Sequence, residues 1–215
     1  MSTDEAQEAE KTEEEQVEQA EEQKAASELE AELLEQAKLL LAPEESGLRS
    51  IMLYGDIDED KISEIIAGML VLCGEKSSDD IKMYLSTLGG NADEMFSLYD
   101  MMNHVKKTCD IETIGLGKVM SAGVLLLAAG TKGKRRIGQN CRVMIHSCNA
   151  GNIGDIHDLK NEMEQISDLQ DKFINALVQE TTITKRQLTK LLDRKLNIYL
   201  TAEEAIEYGI ADEIF

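Results

Sequence analysis

The chain predicts an α/β fold of repeated strand–helix–strand units around a parallel sheet. From about residue 48 onward, short apolar segments of strand length alternate with longer periodic segments of helical length, and glycine-rich turns separate them. The only proline, Pro43, lies before this region, so nothing within it carries a proline breaker.

The chain has 215 residues, enough for a domain with a full core, and a net charge of −20. Residues 1–47 hold 16 acids and three lysines, hence −13 of that total. Residues 1–27 are mostly Glu, Gln, Ala and Ser, a composition that cannot offset the entropy of ordering it. Over 28–41, Leu29, Leu33, Leu34, Ala37, Leu40 and Leu41 recur at helical spacing, which predicts a short amphipathic helix ended by Pro43. The expected organisation is therefore an acidic, largely disordered extension over 1–47 and a globular domain over 48–215.

Within that domain the pattern predicts a strand over 50–53 and a helix from 59 to about 73. A strand follows over 81–85, then the turn Leu88-Gly89-Gly90, a helix over 92–106 and a strand over 111–116. Gly117 opens a turn that leads to Ser121, and the uncharged run 124–129 after it reads as a buried helix. Residues 132–136, Lys-Gly-Lys-Arg-Arg, read as a solvated basic turn. Residues 141–146 then form a strand that ends on His146. A long helix is expected over 155–181, with Ile156, Leu159, Met163, Ile166, Leu169, Phe173, Leu177 and Val178 on one stripe. Thr184 and Gln187 have capping-box spacing for a helix over 184–192, and a short last helix stops at Gly209.

The negative charge argues against nucleic acid and anionic membranes as partners. No apolar run of about eighteen residues and no signal-peptide pattern is present. Cys73, Cys109, Cys141 and Cys148 show no CxxC pairing and read as reduced thiols of a cytoplasmic protein. With His104 and His157 the only other histidines, neither a metal site nor a cofactor is expected.

Ser121 and His146 carry the chemistry. A serine at a helix start sits beside unpaired backbone N–H groups, where a developing oxyanion would be stabilised. The 25 residues from Ser121 to His146 allow a helix, a turn and a returning strand that brings a base to the nucleophile. Taken singly, each residue has a plainer reading, a helix cap and a structural histidine. Cys148 is a competing nucleophile, but it lacks the helix start.

These segments resemble the ClpP family, the proteolytic subunits of ATP-dependent Clp proteases. The resemblance rests on Ser121-Ala122-Gly123, Leu126-Leu127-Ala128-Ala129-Gly130, Lys132-Gly133-Lys134-Arg135 and Arg142-Val143-Met144-Ile145-His146, in this order. It runs from about Leu48 to Phe215. It implies a crotonase-like ClpP fold with a protruding handle helix, and a serine endopeptidase that acts on unfolded polypeptide inside heptameric rings, single or stacked in pairs. An AAA+ ATPase unfoldase would be the partner, since the chain has no GxxxxGK[ST] loop of its own.

Carried over position by position, Ser121 would be the nucleophile and His146 the general base. The Gly90 and Ala122 N–H groups would form the oxyanion hole. Gly89, Ser147, Cys148, Asn149 and Ala150 would line the path of an extended substrate. Leu200-Thr201-Ala202 places the third triad position at Asn197, where the family has Asp, and Leu196 stands where the family has Arg. An amide can accept the His Nδ1–H but brings no charge to an imidazolium, and in a chymotrypsin-type triad that exchange costs about 10⁴ in rate. Asp193, one helical turn earlier, is the alternative orienting group. The departures keep two other readings open, a weak or inactive ring subunit acting as a scaffold and a specialised maturation protease of viral type. An acyl-CoA enzyme of the crotonase kind would need acid–base carboxylates, for which Asp93 and Glu94 are nearest, and would have no use for the Ser–His pair.

Overall fold

The first strand, β1 (Ser50–Tyr54), is followed by helix α1 (Glu59–Gly74), β2 (Ile81–Thr87) and α2 (Ala92–Val105). Next come β3 (Ile111–Met120), α3 (Ala122–Ala128), β4 (Arg135–Ile137) and β5 (Arg142–Ile145). The chain ends with α4 (Ile156–Glu180), α5 (Lys185–Leu192), β6 (Ile198–Leu200), α6 (Ala202–Glu207) and β7 (Glu213–Ile214). This computed structural model describes residues 48–74, 79–151, 153–193 and 196–215. The extension expected over 1–47, with its short helix, lies outside the described residues.

The strands pair in the order β1-β2-β3-β4-β7, all parallel, as the alternation of strand and helix predicts. β3 is longer than the pattern suggests and carries a second branch. Its first half pairs with β2 and β4, whereas Lys118, Val119 and Met120 pair in parallel with Arg142, Val143 and Met144 of β5. The register against β2 runs from Leu85↔Gly115 to Thr87↔Val119, so two extra residues bulge from β3 between those pairs. Gly117 sits in that bulge at φ +63°, a conformation open to glycine without strain. The expected turn is thus a bend within one strand. That bend lets one strand serve both branches.

α3 is buried along its whole length and packs on β3, β2, β5, α2 and α4. Its residues Val124 to Ala128 are wholly inaccessible to solvent, which explains the uncharged run. The expected caps form as well: Thr184 and Gln187 close a capping box on α5, and Gly209 ends α6 at φ +69°. α4 is buried only from Phe173 onward. Ile156, Leu159 and Met163 stay exposed at 65, 38 and 67%, so the first half of the helix stripe projects away from the core.

The basic turn differs from expectation. Arg135 is buried, at 5% exposure, on β4. Its Nε donates to Asp212 Oδ2 at 2.8 Å, and its Nη2 pairs with Asp212 Oδ1. Its Nη1 donates to the carbonyls of Glu180 and Gly209, both at 2.8 Å, and of Ala128 at 3.3 Å. One guanidinium therefore joins the ends of α3, α4 and α6 to β4. Lys132 pairs with the buried Glu180 carboxylate at 3.1 Å, and Tyr99 Oη donates to it at 3.0 Å. Burial, with Glu180 beside it, pushes the Tyr99 phenol up to about 12. Spacing alone could not separate the buried Arg135 from its half-buried neighbour Lys134, which bridges Asp80 and Asp110.

Burial alone would raise the Asp212 carboxyl, but the Arg135 guanidinium and the N–H groups of Arg135 and Gly133 hold it below its ordinary value. A depressed carboxylate contributes stability above its unfolded pKa and loses it as pH falls through the folded one. Arg135→Met should lower stability by about 3–5 kcal/mol at neutral pH, because it strands a partly buried charge. The gap from the parent should narrow as pH falls below about 4, where Asp212 takes up its proton. Denaturant titrations at several pH values measure both effects.

Candidate active site

The end of β3 meets the start of α3 at Ser121, whose backbone sits at φ +55°, ψ −123°. It is the one non-glycine residue with positive φ among the described residues. Such a conformation costs about 1–3 kcal/mol and persists only where its surroundings impose it. Here Ser121 N donates to Met144 O at 2.7 Å, and Ser121 O accepts from Val124 N at 3.0 Å. The first bond ties the serine to β5 two residues before His146. It continues the β3–β5 register, in which Met120 pairs with Met144. The outcome is a contact of 2.8 Å between Ser121 Oγ and His146 Nε2.

The turn beside the serine is shaped by Gly89 and Gly90, at φ +102° and +154°. A Cβ on Gly89 would lie 2.6 Å from the Ser121 Cβ, and one on Gly90 would lie 2.2 Å from Ile57 O. No other residue type fits at either position without moving backbone. The Thr87 hydroxyl accepts from Gly89 N at 2.9 Å, while Ile57 N donates to Gly89 O and Ile57 O accepts from Asn91 N. Asn91 then caps α2 through Asp93 N at 2.8 Å. Among the described residues neither Gly90 N–H nor Ala122 N–H has an acceptor, and both residues line the cavity in front of Ser121. That cavity has a volume of about 350 Å³, and its apolar wall includes Leu88, Met95, Cys148 and Phe173.

Of the segment expected to run along a substrate, Cys148 and Asn149 line the cavity. Ser147 is half-buried and Ala150 exposed, and neither belongs to that wall. Residues 147–151 form no strand pair among the described residues. α4 holds this loop from outside, where Gln170 Oε1 accepts from Cys148 N at 2.9 Å. Burial pushes the Cys148 thiol up, so it is a protonated, weak nucleophile near neutrality. Asp93 and Glu94 lie in the first turn of α2 and do not line the cavity.

The third position behaves differently from the histidine and the serine. The antiparallel β5–β6 pairing, Val143↔Leu200 to Ile145↔Ile198, sets Asn197 across from His146 when continued by one residue. Yet Asn197 is exposed and makes no hydrogen bond to His146 among the described contacts, nor does Asp193 at the end of α5. The side chain facing the far ring nitrogen is Asn149, with its Nδ2 3.4 Å from His146 Nδ1. No sequence spacing pointed to that contact, because it depends on how the loop after β5 folds back. Gln170 and the wall residues Met95 and Phe173 were equally invisible as site residues, being ordinary members of helical stripes.

A family model described as Clp protease matches residues 45–215 of the chain. The chain belongs to the Clp protease family. It is similar to the ATP-dependent Clp protease proteolytic subunit 1 of Corynebacterium glutamicum, at 36% identity over 168 residues, or 78% of this chain and 79% of the relative. Subunit 2 of Corynebacterium jeikeium and subunit 1 of Corynebacterium diphtheriae match at 36% identity as well, each over 78% of both chains. In Clp protease terms the fold is the family's α/β body, and the described part holds no helix long and apolar enough to cross a membrane.

Gly90→Ala tests whether the turn beside Ser121 sets the geometry of this Clp protease site. The added methyl must push Ile57 aside, which moves the Gly90 N–H from the cavity. Peptidase activity should fall about 10²–10³-fold, the size of loss expected if that N–H receives an oxyanion. Circular dichroism should still report a folded protein.

Proposed function

We propose that the protein is a serine endopeptidase, with Ser121 as nucleophile and His146 as general base. The observation that carries this reading is the 2.8 Å contact between Ser121 Oγ and His146 Nε2 at a strained strand–helix junction. In the reaction, His146 Nε2 takes the Ser121 proton as Oγ attacks the scissile carbonyl. The resulting oxyanion is received by the Gly90 and Ala122 N–H groups. The same Nε2 then protonates the leaving amine, and a water attacks the acyl-enzyme by the reverse sequence.

The apolar cavity favours a substrate with an apolar side chain before the scissile bond. Apart from the Cys148 N–H, which Gln170 holds, residues 147–151 offer an extended peptide backbone groups outside any strand pair next to the site, a β-augmentation mode that reads shape more than sequence. Asn197 supplies no charge to the imidazolium, so turnover is expected to be slow compared with a site that has a carboxylate there.

The exposed apolar face of α4 supports assembly into heptameric rings, single or stacked, that enclose the sites. Access to an enclosed chamber would require unfolded polypeptide from an AAA+ ATPase. The related subunits carry "ATP-dependent" in their names, and this chain has no nucleotide-binding loop. The reading places the assembly in the cytoplasm.

A fluorophosphonate probe tests the chemistry directly. Mass spectrometry should place the adduct on Ser121, and Ser121→Ala should abolish both labelling and peptide cleavage. An adduct on Cys148, or none on folded protein, would overturn the serine mechanism. Static light scattering tests the assembly, with a mass of about seven or fourteen chains expected from closed rings. A monomer at micromolar concentration would remove the enclosed chamber.

A further inference from the structure

His146 offers Nε2 to Ser121, so its competence as a base depends on what holds Nδ1. The ring must carry its proton on Nδ1 to leave a lone pair on Nε2. In this fold the side chain at Nδ1 is Asn149, 3.4 Å away, and the two residues lie three apart in one loop. Nothing else described bonds to that nitrogen. We propose that Asn149 is the positioning residue for His146, its amide selecting which imidazole tautomer faces Ser121. The proposal rests on the serine-peptidase reading and goes beyond it by moving the third member from β6 to the loop after β5.

The chemistry follows from the amide's two ends. With Nδ2 toward the ring, Asn149 donates to an unprotonated Nδ1. The proton then sits on Nε2 and points at Ser121 Oγ, and the base is idle. A half-turn of the amide presents Oδ1, which accepts Nδ1–H and frees the Nε2 lone pair. Oxygen and nitrogen of an amide occupy nearly the same space, so both states fit the same heavy-atom positions. Three features place the group there. Gln170 Oε1 fixes the loop backbone at Cys148 N, one residue away. Asn149 also lines the cavity that holds Ser121, so it stands beside the reacting atoms. Finally, Asn197, although in register with His146, points no described hydrogen bond at it.

The experiment compares Asn149→Ala, Asn149→Leu, Asn149→Asp and Asn197→Ala in steady-state cleavage of a fluorogenic peptide, with fluorophosphonate labelling of each protein. Asn149 is exposed, so these substitutions leave the core untouched and thermal midpoints should stay near the parent's. Asn149→Ala and Asn149→Leu should lower kcat tenfold or more with KM within about twofold, a loss of about 1.4 kcal/mol per decade. Asn149→Asp can only accept, locks the productive tautomer, and should match or exceed the parent kcat. A role confined to the cavity wall would move KM instead, and that outcome overturns the proposal. So does a larger kcat loss in Asn197→Ala than in Asn149→Ala while the parent labels at Ser121; the serine mechanism then survives alone. Failure of the parent to label at Ser121 overturns both.

Discussion

The backbone of Ser121 is the constraint on which the site depends. Its φ of +55° marks the turn from β3 into α3, and its Oγ meets His146 Nε2 beside the cavity. Most of the surrounding sequence can be understood as what is needed to hold that turn. Gly89 lets a second backbone pass within contact of the serine, and Gly90 lets that backbone pack on Ile57; a methyl would clash at either position. Thr87 and Ile57 fix that second backbone by hydrogen bonds rather than by bulk. The bulge at Gly117 lets β3 bend toward β5, so that Met144 O receives the Ser121 N–H and His146 arrives at bonding distance. Without the bend the histidine strand would lose its pairing with β3 and keep only that with β6.

A second anchor lies behind the first. Arg135 is remote from Ser121, yet it collects the C-terminal carbonyl of α3 at Ala128, that of α4 at Glu180, and that of Gly209 after α6. Helix ends leave carbonyls unpaired, and three such ends meeting in the interior would be unfavourable without a donor of this shape. A guanidinium suits the place because it offers several N–H groups in fixed directions while Asp212 balances its charge. The α3 helix is thereby pinned at both ends, at Ser121 by β5 and at Ala128 by Arg135. Ser121, at the head of this short buried helix, shares that anchoring.

These two anchors also explain what the sequence made legible. Ser121, His146 and the glycine turn could be read because each is marked by a residue type that its position demands: a serine heading an apolar run, a histidine ending one, and glycines where no side chain fits. The parallel order followed from alternation of strand and helix. Arg135 could not be read, since a Lys-Gly-Lys-Arg-Arg run looks the same in solvent as when one guanidinium folds inward. Strands β4, β6 and β7, of three, three and two residues, are too short to show a period. The contact at His146 Nδ1 escaped for a related reason. Sequence position led to Asn197, which the β5–β6 register does place opposite the histidine. Which side chain turns inward there is decided by loop geometry that no periodicity encodes.

The parts of the site therefore differ in how firmly they are held. Ser121 is fixed by backbone hydrogen bonds to Met144 and Val124, Ala122 is buried, and Gly90 is held through its neighbours Gly89 and Asn91, both bonded to Ile57. His146 directly follows a strand paired on both sides, with β3 and with β6. Asn149, by contrast, sits in a loop with no strand partner, joined to the body near it by the Gln170–Cys148 bond. Gln170 itself stands on α4 just before the helix becomes buried at Phe173, while the turns before it are bare. Backbone anchoring thus falls off from Ser121 to His146 to Asn149. A triad with an ionised third member draws orientation from charge, which acts over distance. An amide draws it only from position, and beside Asn149 the Cys148 N–H is held by one side-chain hydrogen bond from Gln170 of α4.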